Sequence, residues 1–289
     1  MSPATPVGNR ISQWGEGPVW HENKLTHVDI KGKAVVSFDP STGEESVIQL
    51  DQQVGFCVPC LSGRWLFGGD RGLFFLDPSS GFPTLITDPE SDLEDNRFND
   101  GKVAPDGRLL AGTIAQKKVP GTAKLYRLNS DLSCQIAYQP VTNSNGLAWS
   151  ADGQTLYYID TPSKEVKAFD YCQESGELTH PRSVIDTAAI DASPDGMCID
   201  SEDKLWIAFC HGGCVIRFDP EDGGEIQRIS VPALETTSCC FGGPERRSLY
   251  ITTGIHATKE EALGGRLFVV EDCGVSGPPC TPFNDAAAS

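Results

Sequence analysis

Five polar residues recur along the chain in similar local settings. Glu16 and Asn145 each precede a glycine, Asp195 precedes Gly196, Asn99 stands one residue short of Gly101 through Asp100, and Ser238 opens an apolar run of the same kind. A sixth position falls near Val54-Gly55, without a clear polar residue. Together they offer two carboxylates, two carboxamides and a hydroxyl. All are oxygen donors, and none is histidine or cysteine. Gathered at one place they suit Ca2+, Mg2+ or Mn2+ better than a structural zinc, although carboxylates also bind Zn2+. Two acidic groups in a narrow space call for a counter-charge. The plainer alternative is a polar tunnel in which these residues bond only one another and water. Beside Asn99, Arg97 either pairs with Asp95 or Asp100 or offers its rigid N–H groups to substrate oxygens.

The elements that would bring these residues together form a repeat. In the stretch around Asp195, Met197-Cys198-Ile199 is followed by an acidic turn, Ser201-Glu202-Asp203, and by Leu205-Trp206-Ile207-Ala208-Phe209. Similar units open near Glu16, Val54, Asn99, Asn145 and Ser238. Each runs roughly 40–50 residues, the spacing of propeller blades. The strands are short, rich in Val, Ile, Phe and Tyr, and punctuated by Asp-Gly and Ser-Gly turns. A fourth strand follows in each, as in Glu45-Ser46-Val47-Ile48-Gln49-Leu50. The expected fold is all-β: a six-bladed β-propeller of four-stranded antiparallel blades around a central channel, forming one domain over 1–289. The first strand of each blade would line the channel, so the polar residues meet at one end. An exchange of strands between the N- and C-terminal segments would close the ring. One helical turn is expected at 258–263, and residues 115–122, with Lys117, form a candidate lid over the channel mouth.

With 289 residues and a formal net charge of -17, the chain is a poor match for nucleic acid or anionic membrane. No apolar run has the length of a membrane span, and the N-terminus lacks the pattern of a signal peptide. The expectation is a cytoplasmic monomer. Eleven cysteines, an odd number scattered through strands, read as reduced core thiols. Cys57 and Cys60 have the spacing of a zinc or redox pair but no second such pair, and Cys273 and Cys280 could join only in an oxidising setting. The five histidines are dispersed and read as structural or exposed. There is no G-x-S-x-G elbow, no G-x-G-x-x-G and no P-loop.

Several runs carry a resemblance: Asn96-Arg97-Phe98-Asn99-Asp100-Gly101-Lys102-Val103, Ser144-Asn145-Gly146-Leu147, Pro194-Asp195-Gly196-Met197-Cys198-Ile199-Asp200 and Thr236-Thr237-Ser238-Cys239-Cys240-Phe241-Gly242-Gly243. With Gly15-Glu16-Gly17-Pro18-Val19-Trp20, the chain resembles the regucalcin and gluconolactonase family of six-bladed propellers, close to the regucalcin branch. The resemblance implies one divalent metal ion (Ca2+, Zn2+, Mn2+ or Mg2+) held by Glu16, Asn145 and Asp195. It implies substrate contacts at Arg97 and Asn99, Asp195 as general base, and hydrolysis of a small-molecule sugar lactone of the glucono-1,5-lactone type. Vertebrate regucalcins carry a glutamate in the lid that reaches the sugar. Lys117 takes that place here, and the reversed charge leaves the particular sugar open while the implied metal site is untouched. Two other roles stay open: a non-catalytic calcium-binding regulator, and a propeller hydrolase acting on another ester electrophile.

Overall fold

A computed structural model describes residues 3–288. Six four-stranded antiparallel sheets follow one another around a ring, five of them in simple sequence order from the axis outward. The innermost strands are Gly15–His21, Val54–Pro59, Asn96–Val103, Ser144–Trp149, Ser193–Ile199 and Thr236–Gly242, for blades one to six. Each packs against the inner strands of both neighbouring blades, and blade one meets blade six. The ring is closed by the N-terminal strand Thr5–Val7, which pairs with Leu267–Val270 as the outermost strand of blade six. The sequence leaves that exchange unassigned. The Thr237 hydroxyl adds a 2.6 Å hydrogen bond to the Gly15 carbonyl across the same seam.

The inner strands of each blade are buried largely on both faces while the outermost strand is mostly exposed, and the core divides accordingly. Six clusters fill the six gaps between blades. The largest buried side chain, Trp206, lies between blades five and six. Its indole N–H donates to Asp200 at 2.8 Å, and Arg217 Nε donates to the same carboxylate at 2.7 Å. A fully buried polar tip is thereby satisfied. Cys57 and Cys60 belong to different inter-blade clusters, as plain core thiols. Cys273 and Cys280 are also free thiols.

Each inner strand starts with a register shift against its neighbour: between Glu16 and Val19, Val54 and Phe56, Phe98 and Asp100, Asn145 and Leu147, Pro194 and Met197, and Thr236 and Ser238. A bulge of this kind re-aims a side chain out of the regular pleat. All six fall at the same end of the channel. The other mouth is crossed by the C-terminal segment, which bonds to the backbones of Arg246, Ser201, Pro59 and Gly107 in turn. It ends with Phe283 fully buried and Asp285 paired to Arg64 at 2.8 Å. The segment 258–263 forms bends and the start of a turn, not the expected helical turn. Backbone bonds there are few, and Thr258 and Lys259 instead donate their N–H groups to the His256 ring.

Close approach of inner strands constrains the glycines at the bulges. A Cβ on Gly196 would lie 2.4 Å from Ser238 Cβ and 2.8 Å from its Cα, and one on Gly55 would lie 2.5 Å from the Asn99 carbonyl oxygen. Gly196→Ala is therefore expected to push blade six away from blade five and to lower stability by about 1–3 kcal/mol, the usual cost of overpacking. Urea unfolding of the two proteins side by side checks this. An unchanged midpoint would mean that the blades separate without cost.

Candidate metal centre and substrate site

The bulged ends bring Glu16, Asn99, Asp100, Asn145, Asp195 and Ser238 to one mouth of the channel, and all six are buried. Blade two contributes only Gly55, so the undecided sixth position carries no donor. Glu16 bends back to accept the Gly17 N–H at 2.8 Å, with Gly17 at φ +52. Its carboxyl faces that of Asp195 within hydrogen-bonding reach, an arrangement that favours retention of a proton by the pair when no cation is bound. Burial, mutual repulsion and the charge of Asp100 push Glu16 well above the ordinary carboxylate range, and burial together with Asp100 does the same to Asp195. Asp100 is raised too, by burial, but Lys102 opposes the shift. Asp100 is a carboxylate that sequence reading treated only as a partner for Arg97. Its place in the Asn99-Asp100-Gly101 bulge is the signal that would have found it.

The carboxamides are oriented by a chain of bonds. The Thr161 hydroxyl has one proton, given to the Pro194 carbonyl at 2.9 Å, so it accepts from Asn145 Nδ2 at 2.7 Å. Asn145 therefore presents Oδ1, not its nitrogen, to the Asn99 side. Asn99 Nδ2 donates to that oxygen at 3.0 Å and to the Ser144 carbonyl at 2.8 Å. Its own Oδ1 accepts from Arg97 Nη1 at 2.9 Å. The same nitrogen donates to the Phe98 carbonyl, while Arg97 Nε is buried without a partner. Burial lowers the Arg97 guanidinium to about 10, against attraction from Asp70 and Glu16, and it stays charged at neutral pH.

These donors fit a hard divalent cation. Two carboxyls held together with no ion pair to a positive side chain, and a carboxamide oxygen locked into place, form an oxygen set with negative charge to spare. Glu16, Asn145 and Asp195 are the residues that would hold the ion, with Asn99 one bond away. Lys117 stands apart. It is exposed and pairs with Asp95 at 2.6 Å, beyond the channel residues. Arg97 pairs with neither Asp95 nor Asp100. Sequence reading also missed a group around Glu235, a buried carboxylate flanked by Cys210, His211 and His256. These residues are far apart in the chain, and only the meeting of blades five and six joins them.

Fold and site together define a six-bladed propeller with an oxygen-lined acidic channel mouth. Residues 14–255 match the family described as SMP-30/Gluconolactonase/LRE-like region. Regucalcin of Gallus gallus is 39% identical, covering 96% of this chain and 97% of its own, and regucalcin of Xenopus laevis is 38% identical over 93% and 94%. A solved structure described as a calcium-binding protein, regucalcin, from Agrobacterium tumefaciens superposes with a TM-score of 0.91 at 26% identity, over 98% of this chain and 97% of its own. The chain belongs to the SMP-30/gluconolactonase/LRE-like family. No helix among the described residues is long and apolar enough to cross a membrane.

The raised carboxyls carry a stability consequence with a definite sign. Without a cation, the folded state keeps protons that the unfolded chain releases in the ordinary carboxylate range, from about pH 4. Their contribution is full below that range and is lost as pH rises through the raised folded values. Asp195→Asn removes one of these groups. The melting temperature of the variant minus that of the metal-free wild type is expected to grow as pH rises from 4 to 8, and added Ca2+ should raise the wild type alone. A pH-independent difference would contradict the shared burial of the two carboxyls.

Proposed function

We propose that the protein is a metal-dependent lactonase that opens sugar lactones of the glucono-1,5-lactone type to aldonic acids. The observation that carries this reading is the buried Glu16–Asp195 pair set beside the inward Asn145 oxygen and the Arg97–Asn99 couple, in a chain of this family. When bound, a divalent cation would polarise the lactone carbonyl as a Lewis acid and offset charge developing on its oxygen. Asp195, ionised in that state, takes a proton from the attacking water. The hydroxide adds to the carbonyl carbon, the ring C–O bond breaks, and the released ring oxygen takes a proton. Water is thereby added across the ester. Arg97, whose unpartnered Nε is a ready donor, and Asn99 orient the sugar oxygens so that reacting atoms meet in line. Burial of the channel mouth strengthens each of these interactions.

One relative is described as a calcium-binding protein, which supports a second reading in which the same residues bind calcium without turnover. Lactone hydrolysis separates the two. In a pH-stat assay of glucono-1,5-lactone above its spontaneous rate, the metal-stripped protein should be inactive and one of Ca2+, Mg2+, Mn2+ or Zn2+ should restore turnover. Asp195→Ala should lower kcat by about 10²–10⁴-fold, the range of a lost general base. Full turnover in that variant would remove Asp195 from the mechanism, and no turnover with any cation would favour the calcium-binding reading. The Lys117–Asp95 pair, at the lid, is assigned to sugar selection. Lys117→Glu is expected to change the ratio of kcat/KM between two sugar lactones by about tenfold or more, within the span of single pocket contacts, with kcat for the better substrate little altered. An unchanged ratio would take Lys117 out of the substrate site.

A further inference from the structure

The channel mouth carries a second group of ligand atoms that the proposed reaction does not use. Cys210 ends the second strand of blade five, His211 begins the turn after it, and Glu235 immediately precedes the inner strand of blade six. One isolated antiparallel bridge joins Cys210 to Glu235 across the two blades. Cys210 Sγ donates to Glu235 Oε2 at 2.9 Å, and His211 Nδ1 lies 3.0 Å from Oε1. The three ligand atoms lie within 4.8 Å of one another. Cys210 and Glu235 are 6% and 2% exposed, whereas His211 faces solvent, so the group is walled by protein with one open side. His211 also holds a backbone φ of 67, a left-handed conformation uncommon for a side chain of its size.

Sulfur, nitrogen and oxygen in one cluster select a borderline-soft ion. Hard cations seldom take thiolate, while zinc-type ions accept all three. Tetrahedral bond lengths for such an ion put the ligand atoms roughly 3.3–3.6 Å apart. The two contacts to Glu235, at 2.9 and 3.0 Å, would need to open by about half an ångström, and the sulfur-to-nitrogen distance, within 4.8 Å, would settle into the same range as His211 turns on its open side. His256 completes the surroundings. Its Nδ1 accepts the backbone N–H groups of Thr258 and Lys259 at 3.1 and 3.0 Å, so its proton sits on Nε2, the atom 3.7 Å from Glu235 Oε1. In that tautomer it is not a ligand. It acts as an outer partner that orients the carboxylate.

We propose that Cys210, His211 and Glu235 form a second cation site, for a thiolate-accepting divalent ion of the zinc type, which staples blade five to blade six beside Asp195. On binding, the Cys210 S–H proton leaves to solvent and the thiolate sulfur bonds the ion. His211 Nδ1, which donates to the Glu235 carboxylate in the metal-free chain, gives up that proton to solvent, Nε2 on the outward side carries the ring proton instead, and the freed Nδ1 lone pair bonds the ion. No electron transfer is involved, and a fourth position is left for water on the open side. The site is independent of lactone turnover, and the channel site, made of oxygen atoms alone, cannot imitate its spectrum.

The test is a Co2+ titration of the reduced, metal-stripped full chain, read by absorbance. The expected result is a near-ultraviolet sulfur-to-cobalt charge-transfer band saturating at one equivalent, with the visible bands of tetrahedral cobalt, both bleached by Zn2+. Cys210→Ser should abolish the near-ultraviolet band, and His211→Ala should weaken cobalt binding at that site by at least about tenfold. Far-ultraviolet circular dichroism checks the fold of each variant. His211 is exposed, so its variant remains informative if Cys210→Ser does not fold. No sulfur band in the wild type, or one that survives both substitutions, would overturn the proposal.

Discussion

Like charge buried in a small space is the constraint on which this molecule turns. Glu16 and Asp195 come from opposite halves of the sequence and hydrogen-bond each other inside the ring, with Asp100 close enough to raise both. Taking carboxylates out of water is costly unless something positive joins them. In the chain itself, the response is to hold protons. A divalent cation would release them, which links ion binding to pH. Every neighbouring bond is consistent with that use. Thr161 turns the Asn145 oxygen inward, Asn99 reads that oxygen, and Arg97 holds Asn99.

The scaffold creates this crowding by repetition. Inner strands of six blades run side by side, each bulged at the same end, and in every blade but the second the bulge brings polar side chains out of the pleat toward the axis. Glycines at the bulges let neighbouring backbones approach where a Cβ would collide. The strength of the ring lies elsewhere, in six apolar clusters between blades and in the Thr5–Val7 strand that locks blade six. The C-terminal segment spans the opposite mouth. One end of the channel is thus structural and the other is free to carry chemistry.

Much of this could be read from the sequence, because a repeat announces itself. Strand runs and Asp-Gly turns recur at fixed spacing, and that spacing alone places Glu16, Asn99, Asn145 and Asp195 at equivalent positions. What it hides follows from how the chain folds back. Asp100 alternates with Asn99 along an ordinary strand and would face away, and only the bulge between Phe98 and Asp100 buries both at the axis. The Cys210–His211–Glu235 group spans a blade boundary, where residues distant in sequence become neighbours without any local motif. Lys117 shows the opposite limit. Its place in the loop 115–122 is legible, but its ion pair with Asp95 depends on a loop path that local spacing does not encode. The expected turn at 258–263 did not form: no N–H of that run bonds a backbone carbonyl, although His256 accepts from Thr258 and Lys259 as a cap would.

The most direct test of the central claim is calorimetric titration of Ca2+ into the metal-stripped protein at neutral pH, repeated in buffers of different ionisation enthalpy. The slope of observed heat against that enthalpy gives the protons released per ion bound. The raised carboxyls of Glu16 and Asp195 predict net proton release on ion binding in the wild type and clearly less in Glu16→Gln. Binding without proton release, or release that is unchanged in the variant, would contradict the account.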